Sequence, residues 1–408
     1  MDKVIDLIKN EEKRQQENLT LIPSENYASR KVREAVGSVL SNKYAEGYPG
    51  KRYYLGNDIV DQIEQIAIDR AINVFKVSYA NVQAYSGSIA NTAALIAMAK
   101  PGEKIMGMKL SAGGHLTHGH KKITFSGLFF ESIQFDVDDE GLIDYEEMEK
   151  LAETEKPKVM IIGTTSYPRD LKWDRFAKAA EKAGAYLLAD ISHTSGLVAA
   201  GVLPSPAGFA DVIMTTTHKS LRGPRGTLLM VTEKGLKKDP DLPVKIDKAV
   251  FPGMQGGPHE NTIAGIAVCL EEATTEEFKH YAGQTLRNAQ ALANGLVNRG
   301  LKLVTGGTDV HLMVVDLRET GKSGREAAVD LEKAGIVVNP NAVPHDTNPP
   351  MNPSGIRLGT PAVTTRGMGE GEMEKMAGWI AEVIKDGEKA TGEISKEVRE
   401  LCGKFPTP

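Results

Sequence analysis

Two cysteines, Cys269 and Cys402, are all that the 408 residues contain. Their spacing matches no metal-binding pattern and implies no disulfide framework, which suits a reducing cytosol. Long apolar runs are missing as well. No stretch approaches the roughly 18 apolar residues that cross a membrane. Residues 1–18 are heavily charged and carry no signal-peptide core. A soluble, cytoplasmic protein with no membrane partner is expected. Positive charge is not in excess either. The 49 Lys and Arg against 54 Asp and Glu leave a net charge of −5, which gives no non-specific hold on nucleic acid. There is no internal repeat, no low-complexity tract and no Gly-x-x-x-x-Gly-Lys-Ser/Thr phosphate loop. What is present is an ordinary globular composition, 41% hydrophobic and 25% charged, in a chain long enough for two sizeable cores.

Strand and helix signals alternate along most of the chain. Strands are expected at 104–110, 159–164, 186–189 and from 211, with helices at 29–40, 58–75, 89–100 and 174–183. This is the β-α-β pattern of a mainly parallel sheet. Near residues 271–277 the character changes. Charged helices then alternate with short strands at 301–305, 312–317 and 336–339. We therefore expect an α/β protein with an N-terminal arm and large domain over 1–272 and a smaller C-terminal α/β domain over 273–408. Residues 1–18 place Val4, Ile5, Leu7 and Ile8 on an otherwise polar helix, which needs a surface such as a second subunit to pack against.

The chemistry concentrates around one lysine. Val212, Ile213 and Met214 form an apolar strand that turns polar through Thr215, Thr216, Thr217 and His218 to reach Lys219, before a Gly-Pro-Arg-Gly turn. An amine at the end of a buried strand can form a Schiff base when its pKa is depressed. Twenty-nine residues upstream, a second apolar strand ends in Asp190. That residue reads either as a helix cap or as a functional acid. Pyridoxal phosphate (PLP) requires both groups: a lysine for its aldehyde and an acid for its pyridinium nitrogen. Neighbouring parallel strands would present them at the same sheet edge, where ligands of open α/β sheets bind.

Other stretches surround this pair. Residues 42–54 hold four of the eleven tyrosines and read as the lining of a site or interface, or as a loop folded on its own aromatic cluster. Tyr85-Ser86-Gly87-Ser88 opens an alanine-rich helix and could bind an anion, or simply cap the helix. Gly113-Gly114-His115-Leu116-Thr117-His118-Gly119-His120 has three histidines, but the spacing matches no zinc site and no metal is expected. A Gly-Gly carrying His115 over a flat ring is the better reading. Arg357 sits in a short strand after a loop, residues 339–353, with five prolines. It suits bidentate carboxylate binding and equally suits a structural salt bridge.

Several of these motifs together closely resemble serine hydroxymethyltransferase: Leu21-Ile22-Pro23-Ser24-Glu25-Asn26, the Tyr44 to Tyr54 stretch, the Gly113 to Gly119 stretch, the lysine stretch and Ser354-Gly355-Ile356-Arg357-Leu358-Gly359-Thr360-Pro361. The likeness runs from about residue 17 to the C-terminus. It implies the fold-type-I, aspartate aminotransferase-like PLP fold, with a large, mainly parallel mixed sheet flanked by helices. It also implies active sites shared across a homodimer, with pairing into tetramers left open. By position, Lys219 would be the Schiff-base lysine, with Thr217 and His218 in the same catalytic stretch. Asp190 would be the pyridinium partner, and His115 would stack on the ring. Ser86, Gly87 and Ser88 would hold the phosphate, helped by Gly257 of the partner. Thr165 would lie near the ring hydroxyl, where a Ser is usual, and His193 near the ring. Arg225 would help hold the lysine loop. Arg357 would bind the substrate carboxylate with Ser24 nearby. Tyr44, Glu46 and Tyr54 would come from the neighbouring subunit, Glu46 being the acid/base group beside the serine hydroxyl. Leu110, Gly114, Leu116 and Asn341 would contact the folate pterin. Departures from the family pattern are Ala112, Leu55, Met254 and Tyr85. The implied reaction interconverts L-serine and glycine with tetrahydrofolate and 5,10-methylenetetrahydrofolate. The rivals are a folate-independent aldolase acting on β-hydroxy amino acids of the allo-threonine type, and a PLP-binding regulator without turnover.

Overall fold

A computed structural model describes residues 2–408. Its centre is a seven-stranded sheet. In spatial order the strands are Tyr79–Asn81, Thr227–Val231, Val212–Thr216, Tyr186–Asp190, Val159–Gly163, Lys104–Met108 and Glu131–Phe135. Only Thr227–Val231 runs against the rest. Strands rich in Val, Ile, Leu and Met with no polar face need cover on both sides, and Val159–Gly163 shows how it is supplied. Met160 and Ile162 enter the core on one face, and Val159 and Ile161 enter the core on the other, following the period-two alternation of a strand. Helices cover both faces. Among them are Trp173–Ala183, which buries Trp173 and Phe176, and Gly87–Met98, which buries Ala90, Ala93, Ala94 and Leu95. This is the α/β architecture expected, a large and mainly parallel mixed sheet between helices.

A second core lies around an antiparallel sheet of Lys302–Leu303, Leu312–Asp316, Gly355–Gly359 and Asn339–Asn341. Leu19 and Leu21 join it, because Leu19–Thr20 pairs with Ile336–Val337. Arg366 ties the chain ends to this core. Its guanidinium donates to the carbonyls of Asn18, Gln16, Cys402 and Phe405, with no carboxylate involved. Two of those carbonyls, of Gln16 and Cys402, lie in the last turns of helices Lys3–Glu17 and Glu388–Lys404, where a cation is favoured.

Some expected elements differ in extent. The helix expected at 29–40 is Arg30–Val36, because Gly37 caps it and Ser38 starts a separate 3-10 turn. The strand expected at 301–305 stops at Leu303, since Thr305 takes a positive φ of 62°. Glu131–Phe135 is an edge strand not among those expected, although Ile133, Phe135 and Val137 alternate with polar residues. Helix Lys3–Glu17 buries none of its residues, and Val4, Ile5, Leu7 and Ile8 are all exposed. Among the described residues, no helix is long and apolar enough to cross a membrane.

Candidate active site

The carboxyl ends of the parallel strands converge on a cavity of about 370 Å³. Asp190 ends one strand and Thr216 its neighbour, with Lys219 three residues on. The turn carrying Lys219 is held from several sides. The Thr217 hydroxyl donates to the Pro224 carbonyl at 2.6 Å, and the Gly223 amide donates to the Thr217 carbonyl at 2.7 Å. Asn26 Nδ2 donates to the Lys219 carbonyl at 3.1 Å and to Tyr281 Oη at 2.8 Å, while Tyr281 donates to the Ser220 carbonyl. Arg222, at φ 63°, lies over the Tyr281 ring. Thr217 is fully buried and braces the turn, whereas Thr216 Oγ1 accepts from the Lys219 amine at 3.2 Å. Arg225 is exposed at the cavity mouth and makes no side-chain hydrogen bond among the described residues.

Burial pulls the Lys219 amine down to about 8, opposed by Asp190 and reinforced by the Arg357 and Arg225 charges. A lysine in that state is partly neutral near pH 8 and nucleophilic. Asp190 is buried too, which by itself raises a carboxyl. Four hydrogen bonds outweigh burial and hold it well below the usual carboxylate range. They come from His118 Nε2 and Asn91 Nδ2, both at 3.0 Å, and from the Ser192 amide and hydroxyl at 3.0 and 2.6 Å. His118 Nδ1 accepts from the His115 amide, so Nε2 carries the proton that Asp190 receives. Asn91 also donates to Thr117 Oγ1 at 2.8 Å, and Thr117 bonds His115 Nδ1 at 2.8 Å. Burial above all pulls His115 down to about 4, leaving a neutral, flat imidazole.

The remaining groups divide in two. Ser24, Ser86, Gly87, Ser88, Thr165, His193 and His218 line the cavity with Lys219. Ser86 caps the helix Gly87–Met98, whose first amides have no helical acceptor. A Cβ on Gly87 would sit 3.0 Å from Thr216 Cγ2, so a glycine keeps that turn tight against the lysine strand. Thr165 donates to the Gly114 carbonyl at 2.9 Å. His193 and His218 are both shifted down, His193 far and His218 to about 3, by burial first and then by the Lys219 charge. Arg357 stands beside the cavity, donating to the Thr165 carbonyl at 2.5 Å and to Asn339 Oδ1 at 3.1 Å. Burial pulls its guanidinium down to about 10. No carboxylate pairs with it among the described residues, so of its two sequence readings the structural salt bridge falls away. Leu110 is partly exposed, Leu116 half-buried, and Asn341 lies on the strand next to Arg357's.

Tyr44, Glu46, Tyr54 and Gly257 lie outside this cavity, together with one another. Tyr44 donates to Glu46 Oε1 at 3.1 Å and meets Tyr54 edge-on at 5.0 Å. Arg52 holds this segment by donating to the Ala45 and Gly47 carbonyls and to the carboxylates of Asp61 and Glu64. Tyr44 and Tyr54 remain about half exposed, and Leu55 almost fully so. A second cavity of about 730 Å³ adjoins the first through Ser24, Glu25, His218 and Arg225, under the N-terminal helix.

Sequence reasoning missed several contributors: His118 and Asn91 on Asp190, Asn26 and Tyr281 on the lysine turn, and His311, fully buried and stacked on His193 at 5.6 Å. For His118 and Asn26 a signal existed, since each sits in a motif already singled out. The donor set fits PLP. It offers a low-pKa amine for an aldehyde, an ionised carboxylate for a ring nitrogen, and a capped helix start for a phosphate.

Comparison with known proteins agrees. The family model described as serine hydroxymethyltransferase matches residues 1–380. A serine hydroxymethyltransferase of Acidothermus cellulolyticus is 52% identical over 99% of this chain and 95% of its own length. One of Desulfotalea psychrophila is 51% identical over 99% and 94%, and one of Nitrosococcus oceani 50% over 97% and 94%. With the matching site and this coverage, the chain belongs to the serine hydroxymethyltransferase family.

Proposed function

We propose that the Lys219 cavity is where this chain interconverts L-serine and glycine, the one-carbon unit passing to or from tetrahydrofolate. The family is PLP-dependent with tetrahydrofolate as co-substrate, and the relatives' names favour this reaction over folate-independent aldol cleavage and over a regulator without turnover. One observation carries the assignment of roles: a lysine of lowered pKa beside a guanidinium that has no carboxylate partner among the described residues. A buried charge left unpaired is costly, and the carboxylate of an amino-acid substrate would complete Arg357.

PLP, when bound, supplies an electron sink for the charge left at the substrate α-carbon. Lys219 would hold its aldehyde, Ser86, Gly87 and Ser88 its phosphate, and Asp190 its ring nitrogen. Asp190 stays ionised for that task through His118, Asn91 and Ser192. His115, kept neutral, would cover the ring face without adding charge. Arg357 fixes the substrate carboxylate and so orients the bond to be broken. Glu46 would move the proton at the serine hydroxyl. Leu110, Gly114, Leu116 and Asn341 would face the pterin. Tyr44, Glu46, Tyr54 and Gly257 are grouped, partly exposed and absent from the lining of their own Lys219 cavity, which supports a homodimer in which they complete the neighbour's site. We also propose that residues 1–272 and 273–408 act as large and small domains.

Capture of PLP by cofactor-free protein needs neutral Lys219. Its rate should rise with pH and level off just above 8, whereas an unperturbed lysine would keep gaining to about 10.4. Stopped-flow absorbance measures the rate, and borohydride should then fix the label on a peptide containing Lys219. A label on another lysine contradicts the assignment.

Arg357→Ala removes a bidentate charged pair, and bonds to charged groups are worth about 1.5–3 kcal/mol each, so serine and glycine should bind about a hundredfold more weakly or worse. PLP absorbance should persist. Unchanged serine affinity in a titration removes Arg357 from the site.

Glu46→Gln keeps the side-chain shape and should slow the folate-linked serine reaction by about 10²–10⁴-fold, with allo-threonine cleavage much less affected. Mixing Glu46→Gln chains with Lys219→Ala chains should restore serine activity, because each heterodimer assembles one site from two intact halves. No recovery in verified heterodimers rules out the shared site.

A further inference from the structure

The glycine-rich loop 255–259 and the helix start at Ser86 meet at one residue, Tyr85. Its ring lies flat on His259, with centroids 4.0 Å apart and planes 1° from parallel. Its hydroxyl donates to the Gly257 carbonyl. Its amide donates to Gln255 Oε1 at 3.1 Å, and Gln255 Nε2 in turn donates to the Gln83 carbonyl at 2.6 Å. The loop is therefore gripped at residues 255, 257 and 259 from residues 83 and 85. On its other side there is little space. A Cβ on Gly257 would lie 3.3 Å from the Tyr44 ring, and one on Gly256 would lie 3.1 Å from Glu46 Oε1. Tyr85 also lines the Lys219 cavity, directly before Ser86, Gly87 and Ser88.

We propose that Tyr85 is a positioning residue for the cofactor phosphate. Through Gly257 and His259 it locks the glycine-rich loop to the turn that begins the helix Gly87–Met98. The amides and hydroxyls of that turn then keep one arrangement, in register with the Tyr44–Glu46 pair. Chemically, the ligand class is a phosphate monoester. The proposal rests on the PLP reading of the cavity. The phenol of Tyr85 supplies the hydroxyl that reaches Gly257.

The test compares PLP with pyridoxal, which lacks the phosphate, on the full-length protein. Release of each into an excess of scavenger is followed by absorbance. Tyr85→Phe keeps the ring stack and removes one hydrogen bond, so PLP should leave about tenfold faster, while pyridoxal release stays at the wild-type rate. His259→Ala should also speed PLP release, and His259→Phe, which keeps a flat aromatic face, should restore it. General damage to the cavity would speed both ligands alike and overturn the proposal. Wild-type protein that holds PLP no longer than Tyr85→Phe overturns this proposal alone. Wild-type protein that binds no PLP overturns the reading of the cavity as well.

Discussion

Asp190 is a carboxylate that the fold buries and yet keeps charged, and the site is arranged around that constraint. Burial alone would protonate it. Four donors from three residues prevent this, and each donor is fixed in turn. The His118 tautomer is set by the His115 amide, and Asn91 is shared with Thr117, which bonds His115. One network therefore sets the charge of Asp190 and the orientation of His115. Across the cavity lie Lys219 and Arg357, two cationic groups in low-dielectric surroundings. Asp190 opposes the fall of the Lys219 pKa but cannot cancel it, and Arg357 has no acid of its own. The site thus carries a standing demand for anions, which a phosphate and an amino-acid carboxylate would meet.

The backbone makes this arrangement possible by close approach. A Cβ on Gly163 would meet the Asp190 carbonyl at 2.3 Å, and one on Gly107 the His118 carbonyl at 2.4 Å. Glycine at these points lets neighbouring segments crowd together under the cavity floor. The second core contributes from the side: Arg357 comes from its sheet and bonds the Thr165 carbonyl of the large sheet's loop. The two cores meet where the substrate carboxylate would bind.

Much of this was legible in the chain. Lys219 and Asp190 could be read because one follows and the other ends an apolar strand, and a strand that leads to a reactive side chain is a local pattern. The sheet could be read because buried parallel strands are continuous apolar runs. The contacts of His118 and Asn91 with Asp190 could not be read, since those residues lie 72 and 99 positions away and meet it only in the fold. Asn26 holds the Lys219 carbonyl across 193 residues, so its motif was visible but its task was not. Arg357 kept two readings in the sequence because a lone arginine does not show whether an acid faces it. The expected helix at 29–40 ended early because Gly37 and Ser38 outweighed the apolar spacing beyond them.

In the proposed function these groups serve transfer of a carbon to folate rather than plain cleavage. Steady-state conversion of L-serine to glycine by the PLP-loaded protein, with and without tetrahydrofolate, tests it most directly. Glycine should form rapidly with tetrahydrofolate, matched mole for mole by 5,10-methylenetetrahydrofolate, and at a rate lower by orders of magnitude without it. A glycine rate indifferent to tetrahydrofolate would contradict it.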